Sequence, residues 1–332
     1  RLEQRLAHDR LGDVIVGTGY DTMDTNVAAR LTSIANSANS NWSSMDKSPT
    51  RTFLWSDLAS TTVSIHINYS YQRLRSMALA YATPGCSLQG NATLLADTLS
   101  ALDWMHANRY NPTVTIYDNW YDFEIGAPIQ LVDIAVLLYG QLSPTQLSNY
   151  MGTVEKFTPS ATTPAAGGTT GSFTGSNRML KIRIVSVRGC VVKDAAKLAA
   201  ARDAISNLFV YVTTGDGFYQ DGSFIQHTNH PYTAAYGSGL LASIAPVMNW
   251  LSGSTWVVTD PLQSNVFSWV FDSYEPIVYN GAALDLVRGR EAGRAGDPQG
   301  TGHTIMDSVL QIAQFAPPTE SLRMKRMVKE WA

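Results

Sequence analysis

The sequence predicts an all-α fold, and three observations carry that prediction. Apolar residues recur at helical spacing, with Leu74, Met77 and Tyr81 at i, i+3, i+7 and Leu95, Leu99 and Leu102 at i, i+4, i+7. Helix-start signals stand before other stripes. Asp260-Pro261 offers an N-cap followed by proline at the first helical position, and Ser143-Pro144-Thr145-Gln146 does the same and completes a capping box. Strand signals are scarce: residues 61–67 and 113–116 are β-branched runs that read equally well as extended loop.

Taken along the chain, the pattern places helices near 24–46, 70–83, 91–108, 124–140, 144–156, 177–194, 196–212, 232–251, 262–280, 302–315 and 318–331, with a further one at the N-terminus. The stripes above define the second and third of these, and the capping box opens the fifth. Leu262, Val266 and Val270, flanked by Phe267 and Phe271, define the ninth. Such helices, joined by short turns with no strands alternating between them, imply stacked antiparallel helical hairpins, as a bundle or as a curved α/α array. One segment breaks the rhythm. Residues 158–176 are nearly free of apolar side chains apart from Phe173. The segment reads either as a linker or as a long functional loop, and its abrupt end at Asn177, before a helix, favours the loop.

With 332 residues, 45% hydrophobic and 15% charged, the chain can bury a sizeable core and is not disordered. A net charge of −3 provides no global field for polyanions, so nucleic acid is not an expected partner. No apolar run is long enough to span a bilayer, and no membrane association is expected. The chain opens at Arg1 without the basic and apolar stretches of a leader, so any signal peptide is expected to be gone. Much Ser, Thr, Asn and Tyr with little Lys suits a secreted protein. Cys86 and Cys190 are the only cysteines and read as small buried hydrophobes, with a single bridge left open.

Candidate chemistry concentrates at 221–237, where His227, Asn229, His230, Tyr232 and Tyr236 follow Gly215-Asp216-Gly217. So many hydrogen-bonding groups build a core poorly, because each buried polar atom needs a partner. They suit a site that moves protons. His227 and His230 form an H-x-x-H pair, but no H-E-x-x-H or cysteine cluster supports zinc, so neither a metal nor a cofactor is expected. Gly237-Ser238-Gly239 is not a nucleophile elbow, and Gly17-Thr18-Gly19 lacks the third glycine of a nucleotide loop. Asp118, Asp122, Glu124 and Asp221 leave open a pair of carboxylates for glycoside hydrolysis. The stretch Arg288-Gly289-Arg290-Glu291-Ala292-Gly293-Arg294 reads as a solvated helix end or as a guanidinium fork for a sugar acid. Asn119-Trp120-Tyr121-Asp122-Phe123-Glu124 gathers aromatics that either enter the core or form a sugar-stacking platform.

Together these pieces resemble the polysaccharide lyases of family 8, the group of hyaluronate, chondroitin AC and xanthan lyases. The resemblance rests on five islands in order: residues 119–126, 174–178, 221–237, 263–269 and 287–291. It implies an incomplete α/α toroid of antiparallel helical hairpins, a single catalytic domain over 1–332 with a long loop at 158–176. It also implies an acidic polysaccharide as substrate and an extracellular, bacterial setting. The family's catalytic asparagine, histidine and tyrosine fall on Asn177, His227 and Tyr236, and its arginines on Arg290 and Arg294. Its aromatic patch falls on Trp120 and Tyr121, and Asn119 and Arg288 are expected to join them in binding substrate.

The implied reaction removes the proton on C5 of a uronic acid and expels O4. An amide from Asn177 on the carboxylate would stabilise the developing dianion, and Tyr236 would act as base if Arg290 and His227 depress its pKa. Tyr232 competes for that role on spacing alone. Two departures stand out. The family continues into a C-terminal β-sheet domain that is absent from this chain, which ends at Ala332. Ala292-Gly293-Arg294 also departs from the usual run between the arginines, and Gly293 adds backbone freedom there. Residues 48–55, 101–104, 133–139 and 251–256 look most like xanthan lyases. Gly296 occupies the place where xanthan lyases that grip pyruvated mannose resemble one another in having tyrosine, and Asp122-Phe123-Glu124-Ile125 looks closer to glycosaminoglycan lyases. Xanthan is preferred over hyaluronan or chondroitin. An acidic-polysaccharide-binding domain without turnover is the reading from a different class.

Overall fold

The computed structural model describes residues 2–294 and 297–332. Its contacts gather into two units. One comprises the residues up to Ser160 with Pro164–Gly171 and Val187–Ala195; the other comprises Ala161–Thr163, Ser172–Ser186 and the residues from Ala196 onward.

The first unit holds α1 (Leu2–Val16), α2 (Thr25–Ser44), α3 (Ile65–Ala82), α4 (Ala92–Asn108), α5 (Ala127–Leu137) and α6 (Pro144–Phe157). Helix α3 packs against α2, α4 and α5, and its Leu74 and Met77 are fully buried as the stripe requires, with Tyr81 half-buried at its end. In α4 the expected stripe is met at Leu102 and is one residue off at Leu95 and Leu99. Leu94, Thr98, Ala101, Leu102 and Met105 face the core, and Leu95 and Leu99 lie at its edge. A threonine can occupy that stripe because its hydroxyl donates to the Leu94 carbonyl at 2.6 Å. The Ser143 capping box forms in full, with Gln146 N–H on Ser143 Oγ and Ser143 N–H on Gln146 Oε1. Gly17 closes α1 at φ 74° with its N–H on the Asp13 carbonyl, so this Gly-x-Gly is a helix end rather than a phosphate loop.

The second unit begins with α7 (Gly175–Val191) up to Ser186, then α8 (Ala195–Ala204) from Ala196 and α9 (Ser206–Phe209). An antiparallel ribbon of β1 (Gly217–Phe218), β2 (Phe224–Gln226) and β3 (His230–Pro231) follows. The unit continues through α10 (Ser238–Leu251), α11 (Asn265–Trp269), the hairpin β4 (Val278–Tyr279) and β5 (Ala282–Ala283), α12 (Pro298–Ile312) and α13 (Pro318–Trp331). The helix expected at 196–212 breaks at Ile205. The one expected at 262–280 is a 3₁₀ turn, α11, a π-helical turn at Val270–Tyr274 and then the hairpin. Helix α12 starts early because Asp297 accepts the Gln299 N–H at 2.9 Å with Pro298 at the first position. Neither 61–67 nor 113–116 is a strand. The strands that do form are too short for their alternation to show in the sequence.

The loop after α6 is anchored. Thr158, Ala161, Ala165 and Phe173 are buried, and Thr158 Oγ1 and Ala165 N–H both bond to Glu124. Gly168 packs so tightly on the Glu124 carboxylate that any Cβ would collide with it. Cys86 and Cys190 are buried free thiols, and burial pushes the Cys190 thiol up to about 12.

Candidate active site

Strands β2 and β3 pair Gln226 with His230, so His227, Thr228 and Asn229 form the turn between them. His227 and Thr228 both adopt left-handed backbone, at φ 54° and 75°. Such conformations are disfavoured for residues bearing a Cβ, each costing about 1–3 kcal/mol, so surrounding bonds must hold them. The Thr228 N–H donates to Asp216 Oδ1 at 2.7 Å, and Asn229 N–H returns to the His227 carbonyl.

From this turn the His227 ring meets Tyr236, which stands in a π-helical turn at Thr233–Gly237 leading into α10. His227 Nε2 lies 2.9 Å from the Tyr236 hydroxyl, and the rings sit edge to face with centroids 4.9 Å apart. Arg290 Nη2 reaches the same hydroxyl at 2.7 Å, with its guanidinium carbon 5.6 Å from the ring centroid. A guanidinium only donates, so the phenol oxygen accepts from Arg290 and its own hydrogen is free to point at His227 Nε2. That arrangement requires a neutral imidazole protonated on Nδ1. Burial holds the Tyr236 phenol above its ordinary value of 10.0; Arg290 and Arg294 pull it down, and Tyr232 and Glu291 push it up. The expectation of a depressed phenol pKa is therefore corrected, because desolvation outweighs the arginine.

Tyr232, the alternative on spacing, is enclosed. It is 3% exposed, with its ring 5.0 Å from that of Tyr236, and the Gly289 backbone lies so close that a Cβ there would strike it. His230 stacks on Tyr232 at 6.0 Å, and His227 lies edge-on to the same ring at 6.1 Å, so both histidines of the H-x-x-H pair meet Tyr232 while His227 also meets Tyr236. Among the described residues no three His, Cys, Asp or Glu side chains gather as metal ligands.

Glu291 stands between the two expected arginines, 2.9 Å from Arg294 Nη1 and 3.8 Å from Arg290 Nε, and both arginine side chains remain more than half exposed. Arg288, expected to bind substrate, is instead 2% exposed and donates to Asp285 at 2.6 Å. Its charge is bound into the fold because Asp285, three residues earlier, meets it in the same turn. Gly296 lies outside the described residues.

Asn177 is the third residue of α7, and its Oδ1 is buried without a hydrogen-bond partner. The neighbouring Ser176 N–H donates to Gln226 Oε1 at 3.0 Å, and Gln226 directly precedes His227. Asn177 and His227 thus depend on one shared set of bonds. Gln226, Asp216 and Glu291 were not singled out as site residues. The dense Gly215-Asp216-Gly217 run was the available signal for Asp216.

In the first unit, Asn119 Oδ1 accepts the Tyr121 N–H at 3.1 Å and the Asn119 N–H donates to Ser64 Oγ. This fixes Trp120 and Tyr121, half-buried with ring centroids 6.0 Å apart at 71°. Asp122 is buried, accepts from Ser64 Oγ at 2.7 Å and Asn68 Nδ2 at 3.3 Å, and is nonetheless pushed upward by desolvation. Asp118 also accepts from Ser64, and Glu124 is fully buried on the Ala165 N–H. In the second unit Asp221 holds its own turn through Ser223, whose bonds lower its pKa. These carboxylates are engaged in structural bonds, which removes the support for a hydrolytic pair.

The family model described as polysaccharide lyase family 8, N terminal alpha-helical domain, matches residues 12–330. The chain belongs to polysaccharide lyase family 8, and the all-α fold described above is that of the family's helical domain. It is 45% identical over 318 residues to the xanthan lyase of Bacillus sp. (strain GL1), covering 94% of this chain and 33% of that protein. It is 36% identical over 327 residues to the hyaluronate lyase of Thermasporomyces composti, covering 98% of this chain and 41% of that protein. Among solved structures, Paenibacillus xanthan lyase matches with a TM-score of 0.91 at 42% identity, covering 99% of this chain and 31% of that one. The chain spans 33% to 41% of the length of these curated relatives.

Proposed function

We propose that the protein is a lyase that cleaves the bond to O4 of a uronic acid in an acidic polysaccharide by β-elimination, with xanthan as its substrate. The observation that carries this reading is the Tyr236 hydroxyl held between Arg290 and His227, at 2.7 and 2.9 Å. A phenol with a donor-only cation on one side and an imidazole acceptor on the other can lose its proton to the imidazole while the cation stabilises the phenolate.

The phenolate then removes the C5 proton. The C5–H electron pair forms the C4=C5 double bond, the C4–O4 bond breaks, and the tyrosine proton passes to the leaving O4. The carboxylate on C5 must accept developing charge in that step. Asn177, with an unpartnered buried amide oxygen at a helix start, would engage the protonated or hydrogen-bonded acid group and hold it in line. Arg294 would supply a further guanidinium for the acid group. Trp120 and Tyr121, positioned by Asn119, would stack on sugar rings of the polymer.

The choice of xanthan is supported by the higher identity to a xanthan lyase, 45% against 36% for a hyaluronate lyase. The Asp122-Phe123-Glu124-Ile125 motif favours hyaluronan or chondroitin as the second reading. We take residues 1–332 as the helical catalytic domain of a bacterial enzyme that works outside the cell together with a β-sheet domain.

Ultraviolet absorbance separates these readings, because elimination leaves a double bond conjugated to the carboxylate and hydrolysis does not. The full-length protein is incubated separately with xanthan, hyaluronan and chondroitin. A rise with xanthan alone is the expected result. A rise with another polymer replaces the substrate assignment, and no rise with any of them removes the lyase reading in favour of a binding domain.

A further inference from the structure

We propose that Asp216 is a positioning residue, a clamp that ties the strained His227 turn to the helix end bearing Asn177. The proposal rests on the lyase reading for its catalytic consequence, but the clamp itself is a matter of geometry.

Asp216 uses both carboxylate oxygens. Its Oδ1 accepts the Thr228 N–H at 2.7 Å, the bond that holds the second of two consecutive left-handed residues. Its Oδ2 accepts from Gln226 Nε2 at 2.5 Å and from Thr174 Oγ1 at 2.7 Å. Gln226 continues the connection, since its Oε1 accepts the Ser176 N–H at 3.0 Å. Two separated pieces of chain therefore converge on one acid: the end of β2 with the turn that aims His227, and the residues just before Asn177. Gly175 sits where any Cβ would strike the Gln226 amide, at φ 50°, so the close approach of α7 to Gln226 depends on glycine there. His227 and Thr228 have no intrinsic preference for this conformation. Without Asp216 the turn would relax, and a displacement of about 1 Å in a reacting group commonly lowers turnover by about 10²-fold.

The bond polarity gives a selective test in the full-length protein. Asp216→Asn leaves Oδ1 to accept from Thr228 but sets an amide NH₂ against the NH₂ of Gln226, two donors face to face. Gln226→Glu alone sets two carboxylates together. The double variant Asp216→Asn/Gln226→Glu restores the bond with donor and acceptor exchanged, and its second carboxylate oxygen still accepts from Ser176. Each single variant is expected to lower kcat by about 10²-fold with KM little changed, and the double variant to regain most of that loss. Thr174→Val, which deletes one exposed donor to Asp216, is expected to lower kcat several-fold and serves where a single variant fails to fold.

Hydrogen exchange over 174–178 and 226–230 is measured on the same proteins. It is expected to quicken in the single variants and slow again in the double, independently of turnover. Folded single variants with wild-type kcat, or a double variant no better than either single, would overturn the proposal. A wild-type protein without lyase activity would remove the catalytic reading, and the exchange rates would still decide the clamp.

Discussion

Arg290 donates to the Tyr236 hydroxyl at 2.7 Å, and this bond sets the two effects on that phenol against each other. Desolvation raises the phenol pKa and the guanidinium lowers it, with desolvation the larger. A base of this kind works better as pH rises, because the phenolate fraction grows toward a folded-state value above 10.0. Removing Arg290 deletes a lowering contribution, so Arg290→Ala should move the ascending limb of kcat/KM to higher pH and reduce activity at neutral pH. Arg290→Lys keeps the charge and should move it less. A limb unchanged in Arg290→Ala would mean that Tyr236 is not the titrating base.

Tyr236→Phe removes the hydroxyl that links Arg290 to His227 and leaves the ring in its contacts with Tyr232. Turnover should fall by about 10²–10⁴-fold, the usual range for loss of a general base, with substrate affinity retained. Affinity measured by calorimetry alongside ultraviolet turnover checks both halves. Retained turnover would shift the base assignment to His227.

Gly289 adopts φ 53° and lies against the Tyr232 ring. Gly289→Ala should therefore destabilise the protein, with about 1–3 kcal/mol from backbone strain alone. Displacement of Tyr232, on which Tyr236 packs, should lower turnover as well. Denaturant midpoints and kcat on the same variant measure the two effects.

Two buried phenols should respond oppositely to losing their hydroxyls. Tyr110 donates to the Phe123 carbonyl at 2.6 Å, so Tyr110→Phe should cost about 1 kcal/mol or more. The Tyr274 hydroxyl is buried without a partner, so Tyr274→Phe should be neutral or stabilising. Burial holds both phenols above 10.0 in the folded state. The folded protein then retains protons that the unfolded chain gives up above that pH, and stability should fall as pH rises past it. Tyr274→Phe should make that fall shallower in a pH series of denaturant midpoints.

Much of the helical architecture was legible in the sequence. Leu74 and Met77 face the core and the Ser143 box caps α6, because both signals are local and repeat at the helical period. The one-residue error in α4 arose because Thr98 counts as polar in a sequence yet satisfies its hydroxyl within its own helix. The short strands around His227 were not legible, since two or three residues cannot display an alternation. Arg288 shows a different limit. In the sequence it is one of three arginines within seven residues, and only burial separates it from Arg290 and Arg294.

The sequence by itself determined which residues carry hydrogen-bonding and charge, and at what spacing. His227, Tyr236 and Arg290 fall in runs that stand out by chemical type, and the resemblance to the family singles out Asn177 and prefers Tyr236 to Tyr232. Only the tertiary structure decided which atoms meet. It aimed His227 at Tyr236 through two left-handed residues, raised the phenol pKa by desolvation, and buried Asp122 and Glu124 in structural bonds. Burial and aim arise from groups distant in sequence and close in space. Arg290 lies 54 residues from the hydroxyl it contacts, and no local pattern encodes that distance.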